Sequence, residues 1–240
     1  MKYAVLSSKV SEECKSKLRE LGYIPLLLPP FARLSHPVDT HADMLFFTLG
    51  KNIITHREYY ACAKDVFDVL CSECGVELLL CDADVGDKYP EDIAYNALAA
   101  EGVLFSKTKH TSPLILALAR ECGLSLSDVA QGYTACSTLS LGSGQVICAD
   151  TSLSAEYENH GITVTRITNG SVKLEPYEYG FIGGCSGVDG DTVFFAGDLD
   201  THSDADLIKK AIAKNGMKAV SLADGVLYDV GGIKFFESEK

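Results

Sequence analysis

The stretch MLFFTLGKNIITHREYYACAKDVFDVLCSECGVELLLCD, residues 44–82, contains the pattern that decides the fold. Two short apolar segments flank Gly50, which predicts a hairpin of two strands. Apolar side chains then recur at three- to four-residue spacing, as in Phe67 and Leu70, which predicts a helix with one buried face. Gly75 follows the last helical turn and suits the left-handed conformation that closes a helix. A final apolar segment completes a unit of hairpin, helix and strand.

Four further segments are imperfect copies of this unit. Each has a strand, a Ser, Asp or Pro that suits a helix start, a helix, a closing glycine and a second strand. The closing glycines lie 53, 48, 38 and 55 residues apart, at Gly22, Gly75, Gly123, Gly161 and Gly216. A second series marks the predicted hairpin turns, at Gly50, Gly102, Gly144, Gly190 and Gly232. Both series indicate a period of about 47 residues, so five units account for nearly the whole chain.

The two ends of the chain complete one another. The last strand, GGIKFF at 231–236, has no helix after it, and the first, KYAVLSS at 2–8, has no hairpin partner before it. We therefore expect a closed ring of five units in a single α/β-propeller domain spanning residues 1–240. A doubly wound α/β sheet also alternates strands with helices, but its units do not need the extra hairpin.

Composition limits the class of protein. The 240 residues are 47% hydrophobic, enough for a sizeable core, and the net charge of −12 without a Lys/Arg cluster predicts no nucleic-acid partner. No apolar stretch is long enough for a membrane span or a signal peptide, so we expect no membrane association and a cytoplasmic location. The nine cysteines lack the dense spacing of a disulfide scaffold and are expected to be free thiols.

Five such units closed in a ring resemble the pentein, or guanidine-modifying-enzyme, fold, a pseudo-fivefold α/β propeller of ββαβ-type repeats. Four motifs are similar to those of a bacterial family of unknown function within that fold: THADMLFF (40–47), QGYTACST (131–138), VICADTS (146–152) and GFIGGCSG (180–187). Penteins include arginine and agmatine deiminases, dimethylarginine hydrolases and amidinotransferases, which use a cysteine nucleophile, a histidine and paired carboxylates. They also include a non-catalytic ribosome-binding initiation factor, so the resemblance leaves enzyme and binding protein open.

Polar and reactive residues precede the predicted hairpins at equivalent places. Counting back from the turn glycines finds His41 with Asp43, Tyr95 with Asn96, Cys136 with Ser137, Cys185 with Ser186, and Asp224. Loops on a rigid ring can bring such groups together at the mouth of a central channel. A guanidinium substrate needs an attacking thiolate, a histidine that exchanges protons, and carboxylates that accept its N–H groups.

Together with the resemblance, these residues predict a Cys-dependent hydrolase or transferase for a small guanidino or related C–N compound, without a cofactor. Cys136 and Cys185 are both candidate nucleophiles, because they lie beside Ser, Thr or Gly in turn-like segments. His41 is the candidate acid/base, and Asp43 is the candidate catalytic carboxylate. The candidate substrate-binding residues are Asn96, Ser137, Ser186 and Asp224. The acidic chain suits a cationic small molecule as its partner, and a homo-oligomer is left open.

Two alternatives remain at this point. Cys185 follows two glycines, as deiminase nucleophiles do, but the histidine of their Gly-Gly-x-His motif is missing, which favours a binding protein without chemistry. A metal-dependent hydrolase is the third hypothesis, built on His36, Asp39, His41 and Asp43. Because this segment matches no complete metal-ligand motif, we predict no metal.

Overall fold

The computed structural model describes residues 1–239; Lys240, the last residue of the predicted domain, lies outside the described residues. The chain forms short strands and helices in regular alternation. The strands are β1 (Lys2–Ser7), β2 (Tyr23–Leu28), β3 (Phe46–Leu49), β4 (Asn52–His56), β5 (Glu77–Cys81), β6 (Leu98–Ala100), β7 (Val103–Ser106), β8 (Ser125–Asp128), β9 (Thr138–Gly142), β10 (Gln145–Cys148), β11 (Thr163–Arg166), β12 (Val172–Lys173), β13 (Ser186–Asp189), β14 (Thr192–Phe195), β15 (Lys218–Ser221), β16 (Leu227–Tyr228) and β17 (Lys234–Glu237). The helices are α1 (Glu12–Glu20), α2 (Ala42–Leu45), α3 (Arg57–Cys62), α4 (Lys64–Cys74), α5 (Pro113–Glu121), α6 (Thr151–Asn159) and α7 (Ala205–Lys214), with a 3₁₀ turn at Leu199–Thr201.

One sheet pattern recurs around the ring. The three-stranded sheets are β17–β1–β2, β3–β4–β5, β6–β7–β8, β9–β10–β11 and β13–β14–β15. In each, the first pair of strands is antiparallel and the second is parallel. Parallel neighbours need a crossover connection, and the helix of each unit supplies it. The fold is therefore the predicted pseudo-fivefold α/β propeller, with the short parallel pair β12–β16 added to it.

The two ends of the chain close the ring, as predicted. β17 pairs antiparallel with β1, with Phe236 opposite Tyr3, and the Ser238 N–H donates a 2.7 Å hydrogen bond to the Met1 carbonyl. The first four predicted turn glycines lie between paired strands. The fifth prediction was wrong, because Gly232 precedes β17 and the last hairpin is formed by the chain ends instead of by a turn.

Local sequence signals explain the helices. Ser11 caps α1 by accepting a hydrogen bond from the Cys14 N–H, and Asp150 caps α6 through the N–H groups of the first turn. The helix predicted between the Gly50 hairpin and Gly75 breaks at Ala63 into α3 and α4. Both halves still bury an aromatic side chain, and Tyr59 and Phe67 pack edge to face at 6.1 Å. Within residues 1–239, no helix is both long and apolar enough to cross a membrane.

The first strand of every hairpin faces the axis. Residues of β3, β6, β9, β13 and β17 together line a cavity of about 390 Å³. These inner strands approach one another closely, and β13 lies against β17. Gly187 in β13 makes this approach possible, because a Cβ atom there would lie 2.2 Å from the Ile233 carbonyl oxygen. The segments leading into the inner strands are thereby held together at one end of the axis.

We predict that Gly187→Ala destabilises the protein by about 3 kcal/mol, because the added methyl group meets backbone that can move only by separating two sheets. Gly190→Ala is the matched control, since Gly190 has open space around it and a φ of +57°, so only backbone strain of about 1 kcal/mol is expected. Thermal unfolding measures both variants. Equal decreases in Tm would contradict the close approach of β13 and β17.

Candidate functional site

The segments that precede the inner strands meet on the axis and bring polar groups from different units together. His41 is the N-cap residue of α2 and Asp43 lies in its first turn. Asn96 precedes β6, Cys136 precedes β9 and Asp229 precedes β17. All five residues are at most 4% exposed. Buried polar side chains need partners, so their mutual contacts define the site.

The Cys136 thiol is held by side chains from two other units. Its Sγ donates a hydrogen bond to Asp43 Oδ2 at 2.9 Å and accepts one from Asn96 Nδ2 at 2.9 Å. Asn96 Oδ1 accepts a hydrogen bond from the Ala135 N–H at 2.8 Å, which fixes the backbone beside the thiol. The sulfur therefore has a defined position between an acceptor and a donor.

The surroundings of Cys136 favour the protonated thiol. Burial raises the pKa of Cys136 well above its ordinary value, and the negative charges of Asp43 and Asp229 raise this pKa further. The hydrogen bond from Asn96 opposes these effects but does not outweigh them. A positive charge placed beside the sulfur would favour the thiolate.

Asp229 accepts backbone hydrogen bonds at both oxygens. Oδ2 accepts from the Phe181 N–H at 2.9 Å, and Oδ1 accepts from the Gly231 N–H at 3.0 Å. Oδ1 also lies 3.6 Å from His41 Nδ1, within ion-pair distance. Burial raises the pKa of Asp229 and nearby Asp43 adds to this, whereas His41 lowers it. His41 and Asp229 thus form a buried pair next to the thiol.

Glycines allow the backbone to enclose this pair. A Cβ atom at Gly184 would lie 2.1 Å from Asp229 Oδ1, and one at Gly231 would lie 2.2 Å from the His41 Cβ. Gly231 also has a φ of +77°, which disfavours other residues. Gly184 of the motif GFIGGCSG therefore makes room for the Asp229 carboxylate, which precedes β17.

A cavity of about 280 Å³ opens onto the reactive groups. His41, Cys136 and Asp229 line it, and much of the remaining wall comes from Tyr133 and the segment 174–181. A volume of this order suits a small ligand.

Asp43 lines the axial cavity and contacts a residue that lines the smaller one. Its side chain lines the 390 Å³ axial cavity, while its Oδ2 contacts Cys136, which lines the smaller cavity. Asp43 Oδ1 is buried and has no hydrogen-bond partner within residues 1–239. This oxygen therefore has an unused acceptor position.

The second candidate nucleophile, Cys185, does not line this cavity. Its side chain is fully buried in the apolar core, its Sγ donates to the Ile182 carbonyl at 3.3 Å, and burial raises its pKa. Ser186 is also buried, and its hydroxyl donates to the same carbonyl at 2.7 Å. Ser137 is buried beside a separate cavity of about 70 Å³. Within residues 1–239, Cys136 is thus the one of the two candidate cysteines that lines the cavity.

The prediction that Asp224 lies at the channel was wrong. Asp224 is exposed on the outside of the ring, where its N–H donates to Glu13. The count back from Gly232 failed because that glycine is not a turn, and Asp229 takes the position at the axis. The signal that could have identified Asp229 is its place just before Gly231 and Gly232, since paired glycines indicate close packing around a neighbouring group.

The four residues of the metal hypothesis do not converge. Asp39 forms an ion pair with Lys9, and His36 is exposed. His41 contacts Asp229, and Asp43 contacts Cys136. Among residues 1–239, no group of three or more His, Cys, Asp or Glu side chains is placed to hold a metal ion.

We predict that Asp43→Asn lowers the pKa of the Cys136 thiol, because it removes a negative charge that disfavours the thiolate. The pH dependence of Cys136 alkylation by iodoacetamide, followed by mass spectrometry of its peptide, should move to lower pH. Asp224→Asn removes an exposed carboxylate and should leave the profile unchanged. A profile that stays in place or moves to higher pH in Asp43→Asn would refute the electrostatic account.

Comparisons with solved structures identify the fold. The chain is similar to DDAH from Pseudomonas aeruginosa, a mutant complexed with citrulline, at 14% identity over 91% of both chains with a TM-score of 0.56. It is similar to an agmatine deiminase from C. jejuni at 11% identity, over 92% of this chain and 87% of that chain, with a TM-score of 0.54. A third similar structure is the N-terminal domain of ArgZ, at 12% identity, 92% and 90% coverage and a TM-score of 0.51.

At these identities the likeness shows the fold alone, and that fold is the pentein fold expected from the repeats. No curated protein matches the sequence. A family model described as "Family of unknown function (DUF6873)" matches residues 5–234. Because the match covers nearly the whole chain, the protein belongs to this family, within the pentein fold.

Proposed function

We propose that the protein is a cysteine-dependent enzyme that acts on a small cationic guanidino or related C–N compound, as a hydrolase or transferase. The observation that carries this proposal is the Cys136 thiol held 2.9 Å from the Asp43 carboxylate, beside a cavity that also presents His41 and Asp229. Similarly folded structures include an agmatine deiminase and an ArgZ domain covalently bound to a reaction intermediate, which supports this class of chemistry.

Two carboxylates are available to bind a planar cation. Each oxygen of Asp229 accepts one backbone hydrogen bond, and a carboxylate oxygen can accept a second. Asp43 offers Oδ1, which has no partner within residues 1–239. A guanidinium donates N–H groups in a fixed plane, so it can bridge the two carboxylates and place its central carbon next to the Cys136 sulfur. Its charge then lowers the pKa of the thiol.

The proposed reaction uses His41 as the acid/base, because it lines the same cavity as Cys136. The Cys136 proton, which is hydrogen-bonded to Asp43 Oδ2 in the free protein, passes to His41 in this proposal, and the sulfur attacks the central carbon of the guanidinium to form an S–C bond. One C–N bond breaks, and the departing amine or ammonia takes the proton from His41. Water then attacks the thiouronium carbon and the S–C bond breaks; one proton of the water returns to the Cys136 sulfur, and the other is released and protonates the departed ammonia or amine. The net hydrolysis converts a guanidinium and water into a urea and ammonium. If an amine attacks in place of water, the amidino group is transferred to that amine.

A second candidate function is ligand binding without chemistry. It is favoured by the raised pKa of Cys136, since burial and the nearby carboxylates disfavour the thiolate in the free protein. Binding alone predicts an increase in Tm with guanidino compounds and no release of ammonium or amine. Turnover that disappears in Cys136→Ala and persists in Cys185→Ala supports the enzyme, because the Cys185 thiol does not line the cavity.

A pair of matched alkylating agents tests the proposed site. Chloroacetamidine is cationic and chloroacetamide is its neutral analogue, and both lose chloride as an S–C bond forms. We predict that the cationic reagent modifies Cys136 at least about tenfold faster than the neutral one, because the carboxylates concentrate a cation in the cavity. The exposed Cys62 thiol is the internal control and should show a smaller difference.

Peptide mapping by mass spectrometry gives the two rates at both thiols in one sample. Excess guanidinium chloride, kept below denaturing concentrations, should protect Cys136 and leave Cys62 unaffected. An equal preference at the two thiols, or no protection, would remove the proposed cation site.

A further inference from the structure

Positively charged side chains are missing from the wall of the 280 Å³ cavity. No Lys or Arg lines it within the described residues, and His41 is already paired with Asp229. Lys173 precedes the wall segment 174–181, but it is exposed and does not line the cavity. A ligand carboxylate in this cavity would find no cationic partner and would face the Asp229 charge. Burying an unpaired carboxylate is strongly unfavourable.

Glu178 adds a negative charge at the opening of the cavity. It lines the cavity and is exposed to solvent, so it lies where the cavity meets water. Its carboxylate has no hydrogen-bond or ion-pair partner among residues 1–239. It is therefore free to attract a cationic group on a ligand whose head reaches the deeper carboxylates.

Aromatic rings line the same cavity as Glu178 and the buried groups. Tyr133, Tyr177, Tyr179 and Phe181 line the cavity, and Phe181 packs against Tyr133 and Tyr179 with ring centroids 6.1 Å apart. Tyr133 is anchored by a 2.7 Å hydrogen bond to Asp92. Such a wall contacts an alkyl chain favourably and tolerates cations over its ring faces.

One segment connects the two charged ends. The Phe181 N–H donates to Asp229 Oδ2 at 2.9 Å, and the Gly180 N–H donates to the Val172 carbonyl at 2.8 Å. The same segment carries Glu178, three residues before Phe181. The backbone that fixes the Asp229 carboxylate therefore also fixes the position of the outer charge.

We infer that the site selects guanidino or amidino compounds that carry no carboxylate, and that Glu178 favours those with a second cationic group on an alkyl chain. This inference rests on the proposed function, since it assumes that the guanidinium binds between Asp43 and Asp229. It assigns Glu178 to specificity, and it names the substrate class as aminoalkylguanidines in preference to guanidino acids.

Four compounds with matched chains test the inference by calorimetric titration of the Cys136→Ser protein. They are 4-aminobutylguanidine, n-butylguanidine, 4-guanidinobutanoate and arginine. We expect 4-aminobutylguanidine to bind about fivefold tighter than n-butylguanidine, as an exposed ion pair allows. Arginine and 4-guanidinobutanoate should bind at least about tenfold more weakly than n-butylguanidine, because their carboxylate lacks a partner.

Glu178→Gln in the same background should abolish the advantage of the amine and leave n-butylguanidine binding unchanged. Glu175→Gln is the matched control, since Glu175 is an exposed carboxylate of the same segment that does not line the cavity.

Arginine or 4-guanidinobutanoate binding as tightly as n-butylguanidine would overturn the inference while leaving the proposed function intact. An amine advantage that survives Glu178→Gln would overturn the assignment of Glu178. If none of the four compounds binds, the proposed function fails and the inference fails with it.

Discussion

The Asp229 carboxylate accepts one hydrogen bond from the Phe181 N–H and one from the Gly231 N–H, and it lies 3.6 Å from the imidazole of His41. Hydrogen bonds to a charged group each contribute about 1.5–3 kcal/mol, which offsets part of the cost of burying it. The contacts join segments from three units of the ring. Gly184 and Gly231 allow the backbone to come this close, so the arrangement of the site depends on where these glycines occur.

An excess of negative charge follows from this arrangement. Asp43 and Asp229 are both buried near the Cys136 thiol, and each raises the pKa of that thiol. A bound cation would relieve the repulsion and release the thiolate at the same time, so binding and activation of the nucleophile are coupled. Ligand binding to the folded state alone also stabilises the fold by mass action.

The repeat signal predicted the fold because helix-closing glycines and hairpins recur at a nearly constant spacing. It also predicted the places of His41, Asp43, Asn96 and Cys136 on the axis, since equivalent segments of a ring converge. Asp229 was not predicted, because the last hairpin has no turn glycine from which its position could be counted back. The glycine-rich sequence around Cys185 resembled that of a nucleophile. In the structure, however, its thiol is buried in the apolar core and donates a hydrogen bond to the Ile182 carbonyl. The segment 174–181 has no periodic pattern, and only long-range contacts place it over the cavity.

The proposed chemistry requires a guanidinium to bind between two carboxylates with its carbon facing the position of the Cys136 sulfur. The crystal structure of the Cys136→Ser protein with guanidinium chloride measures this directly. We predict a guanidinium that donates to both Asp43 and Asp229, with its carbon about 3–3.5 Å from the substituted side-chain oxygen. A guanidinium bound only outside the 280 Å³ cavity, or none at saturating concentration, would contradict the account.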